Sequence, residues 1–244
     1  VNRILLEPTD IADGDKVRLR DYRAKHLLEV LHVTPGREVR IGLLNGPKGT
    51  GVVTETGAET VSLECRFDAT TPSAPFVDML LALPRPKVMR RLWAPLASMG
   101  VGRIVLTNAE KVERQYFDTQ WLEEPVYRRE LIHGLEQAGD TILPKVMIRK
   151  RLKPFVEDEL EPMFPEHVRL IANPDANPTN FSRFGRSRSV LLAIGPEGGW
   201  TGFETDLFFA HGFLPVSMGP RTLRTDTACV ALLGLLHGTR LYVA

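Results

Sequence analysis

From Phe76 onward, short continuously apolar runs alternate with longer runs of helical period, and this alternation restricts the fold more than any other feature. Residues 76–83 read as a strand buried on both faces. Residues 86–99 set Val88, Leu92, Leu96 and Met99 on one face, so the spacing predicts an amphipathic helix that Pro95 should interrupt and kink. Residues 104–106 form the next strand, and residues 122–138, with Leu131, Leu135 and Ala138 at helical spacing, the next helix. Residues 168–172, 189–194 and 213–217 complete the strands. Strands separated by helices build a parallel α/β sheet, and such sheets bind ligands beyond the carboxyl ends of their strands. Ala172-Asn173-Pro174, Gly195 to Gly199, and Ser217 to Arg224 fall at those ends.

Residues 1–70 follow a different pattern. Val17-Leu19, Val39-Ile41, Val52-Val53 and Val61-Leu63-Cys65-Phe67 give strand-like alternation, and Asp13-Gly14-Asp15, Asn45-Gly46-Pro47 and Thr56-Gly57-Ala58 mark turns between them. His26, Leu27, Val30 and Leu31 suit one helix, ended by Pro35-Gly36. The reading is a small β-barrel or sandwich over 1–70, a Pro/Ser/Thr-rich connector at 70–75, and an α/β domain over 75–244. Ten Lys and Arg against eleven Asp and Glu over residues 1–70 leave that domain without a positive field.

The formal net charge of the chain is only +1, yet its cations cluster: Arg85, Lys87, Arg90 and Arg91; Arg149, Lys150, Arg151 and Lys153; Arg183, Arg186 and Arg188. Such groups suit phosphates, although any one of them also reads as a solvated face. Two cysteines make no disulfide framework, no apolar run nears the roughly 18 residues of a membrane span, and the first residues lack a signal-peptide core. A cytoplasmic protein without a membrane partner is expected. The histidines have no ligand spacing, so no metal site is expected, and Ser217 has no histidine base at a recognisable spacing.

Two loops carry the chemistry. Gly195-Pro196-Glu197-Gly198-Gly199 offers a backbone nearly free of Cβ atoms, able to approach a ligand closely. Thr201 and Glu204 then give a T-x-x-E capping box that opens a helix. Neither a P-loop ending nor a Rossmann glycine spacing is present. In the second loop Gly219-Pro220 sets a turn, and Arg221 and Arg224 stand beside Thr225, a cap for a helix from Asp226 through Val230, Leu232, Leu233 and Leu236. Two permanent cations at a helix amino end suit an anionic substrate group. Taken singly, the first loop reads as a strand-to-helix turn, and one of the two arginines as a brace on Asp226 or Glu197.

Together the loops resemble a known family. Ile194 to Gly199 with Met218 to Ala228 is similar to the paired signature of the bacterial 16S rRNA (uracil-N3) methyltransferases of the RsmE type, within the SPOUT class. Lys25 to His32 with Pro35-Gly36, Ser98-Met99-Gly100-Val101 and Glu136-Gln137-Ala138-Gly139 resemble further family blocks, so the likeness spans nearly the whole chain. The resemblance implies a PUA-like RNA-binding β-barrel followed by a parallel sheet whose carboxyl end is tied in a trefoil knot. It implies a homodimer acting on 16S rRNA within the small ribosomal subunit. It implies S-adenosylmethionine held bent by three loops: Ala172, Asn173 and Pro174; Ile194, Gly195, Pro196, Gly198 and Gly199; and Ser217, Met218, Gly219, Leu223, Arg224 and Thr225. Uracil N3 is a weak acid, so Glu197 or Asp226 would take its proton while Arg221 or Arg224 stabilises the anion or grips a phosphate.

The chain departs from the family pattern at Glu29, His32 and Asp140, where basic residues are usual, and at Asp226, Thr222 and Pro95. The departures concern the RNA-facing surface more than the cofactor loops. The rival readings are a SPOUT enzyme of other specificity, such as a ribose 2′-O-methyltransferase, and a non-catalytic RNA-binding protein. The reaction product separates the first from the uracil reading, and cofactor binding separates the second.

Overall fold

A computed structural model describes residues 3–12, 15–184 and 189–240. Arg186, Arg188, Asp13 and Gly14 of the sequence reading lie outside the described residues. Two compact units result: residues 1–74 with 132–143, and residues 75–131 with 144–244. The segment 132–143, which the sequence reading places in the second domain, therefore makes its contacts in the first unit.

The first unit is a mixed sheet of β1 (Ile4–Leu6), β2 (Ile11–Ala12), β3 (Lys16–Leu19), β4 (Glu38–Leu43), β5 (Lys48–Thr56) and β6 (Val61–Phe67), with the helix α1 (Tyr22–Glu29). The order is β1-β4-β5-β6-β3-β2, open at β1 and β2, with β1 parallel to β4 and the other pairs antiparallel. Alternation in β3 and β6 sends Val17, Leu19, Val61, Leu63 and Cys65 into one core, where Ile4, Leu6, Leu27 and Ile41 join them. Each large side chain buried there contributes about 2 kcal/mol. α1 starts at Asp21, whose side chain accepts the Arg23 amide. The guanidinium of Arg23 is buried but paired with Asp10 (2.6 Å) and Asp21 (2.7 Å).

The second unit is a six-stranded parallel sheet. In chain order it contains β7 (Val77–Ala82), α2 (Pro86–Ser98), β8 (Val101–Thr107), the first half of α3 (Glu124–Ala138, of which 132–138 belong to the first unit), β9 (Lys145–Arg149) and a helical stretch of α4 (Leu152–Pro154), a π turn (Phe155–Glu159) and α5 (Leu160–Met163). Then come β10 (His167–Ala172), β11 (Ser189–Ile194), α6 (Gly202–Ala210), β12 (Leu214–Val216) and α7 (Thr225–Arg240). The last residues of α3 lead into 139–143, which is laced onto the β4–β5 turn of the first unit: Asn45 N donates to Thr141 O (2.8 Å) and Thr141 Oγ1 to Gly46 O (2.7 Å). The strand order is β12-β10-β11-β7-β8-β9, every pair parallel. From β7 the chain winds outward to β9, then crosses back to β10, so the winding reverses between β7 and β11, where open α/β sheets form their ligand crevice.

Three expectations need correction. α2 is continuous to Ser98: Pro95 forfeits only its own amide bond to the Arg91 carbonyl, and the Met99 amide still reaches Pro95 O (2.9 Å). Its buried side chains are Met89, Leu92, Trp93, Leu96 and Ala97, while Val88 and Met99 are half-buried. The apolar stripe is rotated because Trp93 packs on Tyr127 and donates from Nε1 to Trp121 O (3.0 Å). In α7, Val230 faces solvent and Cys229 takes its expected core place.

At the amino ends of the strands, Asp78 of β7 is buried among partners. Its Oδ2 accepts from Arg103 Nε (2.8 Å), Arg103 Nη2 (2.6 Å) and His167 Nε2 (2.9 Å), and its Oδ1 accepts the Arg103 amide (2.6 Å). Burial alone would raise this carboxyl, but the bonds from His167 and Arg103 outweigh it and hold Asp78 below the usual carboxylate range. Asp78→Ala leaves Arg103 and His167 without their anion and should cost about 3 kcal/mol of unfolding free energy in urea titrations at pH 7. Because the folded pKa is depressed, the contribution is complete above the unfolded value of about 3.9 and is lost as pH falls through the folded one. The gap between wild type and variant should therefore close below about pH 4; a gap unchanged down to the acid transition would show that the carboxylate is not its source.

Candidate functional site

Three loops at adjacent strand ends enclose a cavity of about 600 Å³ in the second unit. After β10, the Asn173 amide donates to Val216 O (2.9 Å) and its Oδ1 accepts the Asp175 amide (2.9 Å), so the chain turns at once. After β11, Gly199 N donates to Pro196 O (2.8 Å), closing a tight turn that ends with Gly199 at φ +69°. Thr201 caps α6, and Glu204 Oε2 returns to the Thr201 amide (2.8 Å). After β12, Gly219 takes φ +111°, and its amide donates to Ser217 Oγ (3.2 Å).

Ala172, Asn173, Pro174, Ile194, Gly195, Pro196, Glu197, Gly198, Gly199, Leu223 and Thr225 all line the cavity. Ser217, Met218, Gly219, Arg221 and Arg224 do not. Ser217 is buried and exchanges bonds with Thr179: its amide donates to Thr179 Oγ1 and its carbonyl accepts the Thr179 amide, both at 3.0 Å. Its place is to tie the third loop to the first. Arg221 and Arg224 are exposed, and neither joins an ion pair among the described residues. Thr225 is the first residue of α7 rather than a residue before it.

The two carboxylates differ in their surroundings. Glu197 Oε1 accepts the Arg85 amide (3.1 Å) across the β7–β11 crevice. Asp226 is committed on both oxygens, to Arg91 Nη2 (2.8 Å) and to the Thr227 amide (3.0 Å). Cys229 follows in the buried face of α7, where desolvation pushes its thiol up, so it is no nucleophile. Among the described residues no His/Cys/Asp/Glu group could hold a metal.

Sequence reasoning missed Lys111 and Trp200 among the lining residues. Lys111 Nζ donates to Gly198 O (2.7 Å), and the neighbouring Glu110 amide donates to Glu204 Oε1 (2.8 Å), so the turn after β8 is bolted to the glycine loop and α6. The indole of Trp200 covers Gly195, where an added Cβ would meet Nε1 at 3.2 Å, and is backed edge-on by Phe208. No local pattern marks either residue, since each acts through a partner distant in sequence or on a loop.

Gly199→Ala should cost about 1 kcal/mol, because the positive φ is strained for any Cβ even where space is open. Gly202→Ala, in open space at the first turn of α6 and without positive φ, should be neutral or slightly stabilising. Urea titration of both variants checks the loop geometry; equal costs would contradict it.

A family model described as an RNA methyltransferase domain matches residues 72–237. The chain is 34% identical over 239 residues to the ribosomal RNA small subunit methyltransferase E of Treponema pallidum, covering 95% of this chain and 88% of that one. It is 26% identical over 231 residues to the ribosomal RNA small subunit methyltransferase E 1 of Borreliella burgdorferi, covering 95% of both. The fold is similar to that of a ribosomal RNA small subunit methyltransferase E from Neisseria gonorrhoeae solved with S-adenosyl methionine, with TM-score 0.78, 24% identity, and 97% and 96% of the two chains covered.

Proposed function

The chain belongs to the ribosomal RNA small subunit methyltransferase E family of RNA methyltransferases, and on that premise we propose that it methylates N3 of a uridine in 16S ribosomal RNA with S-adenosylmethionine. The observation that carries this reading is the cavity that three loops, the middle one rich in glycine, form at the carboxyl ends of β10, β11 and β12. Its volume is in the range of about 300–1,000 Å³ that suits a nucleoside-sized ligand. Gly195, Gly198 and Gly199 let backbone amides and carbonyls approach adenine and ribose, and the Trp200 ring packed on Gly195 leaves only a tight fit for a Cβ there. When bound, the cofactor supplies an electrophilic methyl group on a sulfonium.

The remaining chemistry belongs to the chain. Uracil N3 must lose its proton as the methyl group arrives. Glu197 is the better placed base, since Asp226 already serves Arg91 and Thr227 while Glu197 is held by one backbone amide at the cavity edge. Arg221 and Arg224, exposed on the third loop, hold the developing charge on the base oxygens or grip an adjoining phosphate. The first unit, an open mixed sheet with one helix, is assigned to RNA binding on its resemblance to a PUA-like domain. The knot is supported by β12 pairing with β10 rather than β11, and by Ser217 interlocking with Thr179. No helix among the described residues is long and apolar enough to cross a membrane, and a cytoplasmic location is our inference from the proposed ribosomal RNA substrate.

Calorimetry should give one cofactor bound per chain; absence of binding would favour a non-catalytic RNA-binding protein. Glu197→Gln should slow single-turnover methyl transfer about 100-fold with saturating RNA while leaving cofactor affinity within about twofold. Full rates in both Glu197→Gln and Arg224→Ala would remove these residues from the chemistry.

A homodimer is the assembly we infer. α7 turns Val230 (40% exposed) and Leu235 (42% exposed) outward, with Gly234 between them, and the same helix contributes Thr225 and Ala228 to the cavity. An uncharged stripe beside the site suits a second copy. Val230→Asp with Leu235→Asp should convert the dimer to monomer in light scattering; a double variant that remains dimeric would place the interface elsewhere.

A further inference from the structure

α2 carries a charge pattern that works against its own stability. Arg85 is its N-cap residue, Lys87, Arg90 and Arg91 follow within two turns, and its first turn has no acidic residue. Cations at a helix amino end oppose the macrodipole, and Lys87 meets Arg90 and Arg91 as like charges at i,i+3 and i,i+4. All four residues are exposed, so packing gives no reason for them. A local conflict of this kind marks a functional surface, because a bound anion removes it.

The cations are interleaved with aromatic rings. The Arg90 guanidinium lies 4.9 Å from the ring centroid of Trp121, and Arg85 stands near the hydroxyl of Tyr116. Both rings are half-buried, leaving part of each surface to solvent. Glu113, beside these rings, is taken up by Tyr116 and Gln115. The strip begins at the mouth of the cavity: the Arg85 amide holds Glu197, and Arg91 pairs with Asp226, next to the lining residue Thr225.

Cations with aromatic faces between them are the recognition chemistry of single-stranded RNA, phosphates going to the cations and unstacked bases to the rings. An acidic protein surface would use the cations and leave the rings idle. We propose that the exposed face of α2, with Trp121 and Tyr116, is the docking surface for the single-stranded RNA that flanks the methylated base. This rests on the reading of the chain as an RNA methyltransferase. Lys87 and Arg90 contact phosphates there, away from the reacting atoms.

The test uses the full chain with Lys87→Gln and Arg90→Gln combined, and a control with the same loss of charge, Lys145→Gln with Lys153→Gln. The probe is a fluorescein-labelled, uridine-containing single-stranded RNA of small-subunit ribosomal sequence, titrated from low to physiological salt. The α2 variant should bind about tenfold more weakly, with a salt slope smaller by roughly 1.4, about 0.7 for each phosphate that is no longer neutralised. Its cofactor affinity should match wild type, its melting temperature should be unchanged or slightly raised because the charge conflict in α2 is relieved, and the control should bind RNA as wild type does. If wild type binds and methylates RNA and the α2 variant equals it in affinity and slope, the docking surface is overturned alone. If both double variants weaken equally, the effect is one of net charge and the surface is likewise overturned. If wild type binds cofactor but neither binds nor methylates RNA, the functional reading falls and the docking surface with it.

Discussion

The carboxylate of Glu204 holds the site together. Almost wholly buried, it spends Oε2 on the Thr201 amide and hydroxyl at the start of α6 and Oε1 on the Glu110 amide after β8. One side chain thus fixes the direction in which the chain leaves the glycine turn and ties that turn to the far side of the crevice. Lys111 completes the tie through Gly198 O. A buried carboxylate satisfied by three donors on two elements is specific in geometry, since removing any one partner leaves charge without compensation. The cavity, the placement of Glu197 and the turn at Gly199 all follow from that anchorage.

Half of this arrangement was legible in the chain. Thr201 and Glu204 form a capping box at local spacing, and strand ends at Ala172 and Ile194 follow from apolar runs cut off by Asn173 and Gly195. The other half was not, because it joins residues far apart: Glu110 to Glu204, Lys111 to Gly198, Arg85 to Glu197, Arg91 to Asp226. The fold divides in the same way. β9, reading Lys-Val-Met-Ile-Arg after a proline, is too short and too evenly half-buried to announce itself, and β1 is three residues long. The assignment of 139–143 to the first unit depends on Asn45 and Thr141, which no period connects. The rotated stripe of α2 arises because Trp93 finds partners on Tyr127 and Trp121 as well as the sheet.

Charge divides along similar lines. A net charge of +1 gives no hint of a polyanionic partner, and the first unit's cations are nearly cancelled or committed, as Arg23 is to Asp10 and Asp21. What matters is where the uncancelled cations stand. Arg85, Lys87 and Arg90 stand on α2, and Arg221 and Arg224 on the third loop, near a cavity lined by the glycine turn after β11. Stability would place acids at the start of α2, so the sequence there follows a binding requirement rather than a folding one.

The reaction is tested most directly by its product. Ribosomal RNA from cells with and without the gene, digested to nucleosides and measured by mass spectrometry, should contain 3-methyluridine in the first case and lose it in the second, and the purified protein with S-adenosylmethionine should restore it. Unchanged 3-methyluridine, or loss of a 2′-O-methylated nucleoside instead, would contradict the assignment of uracil N3 as the acceptor.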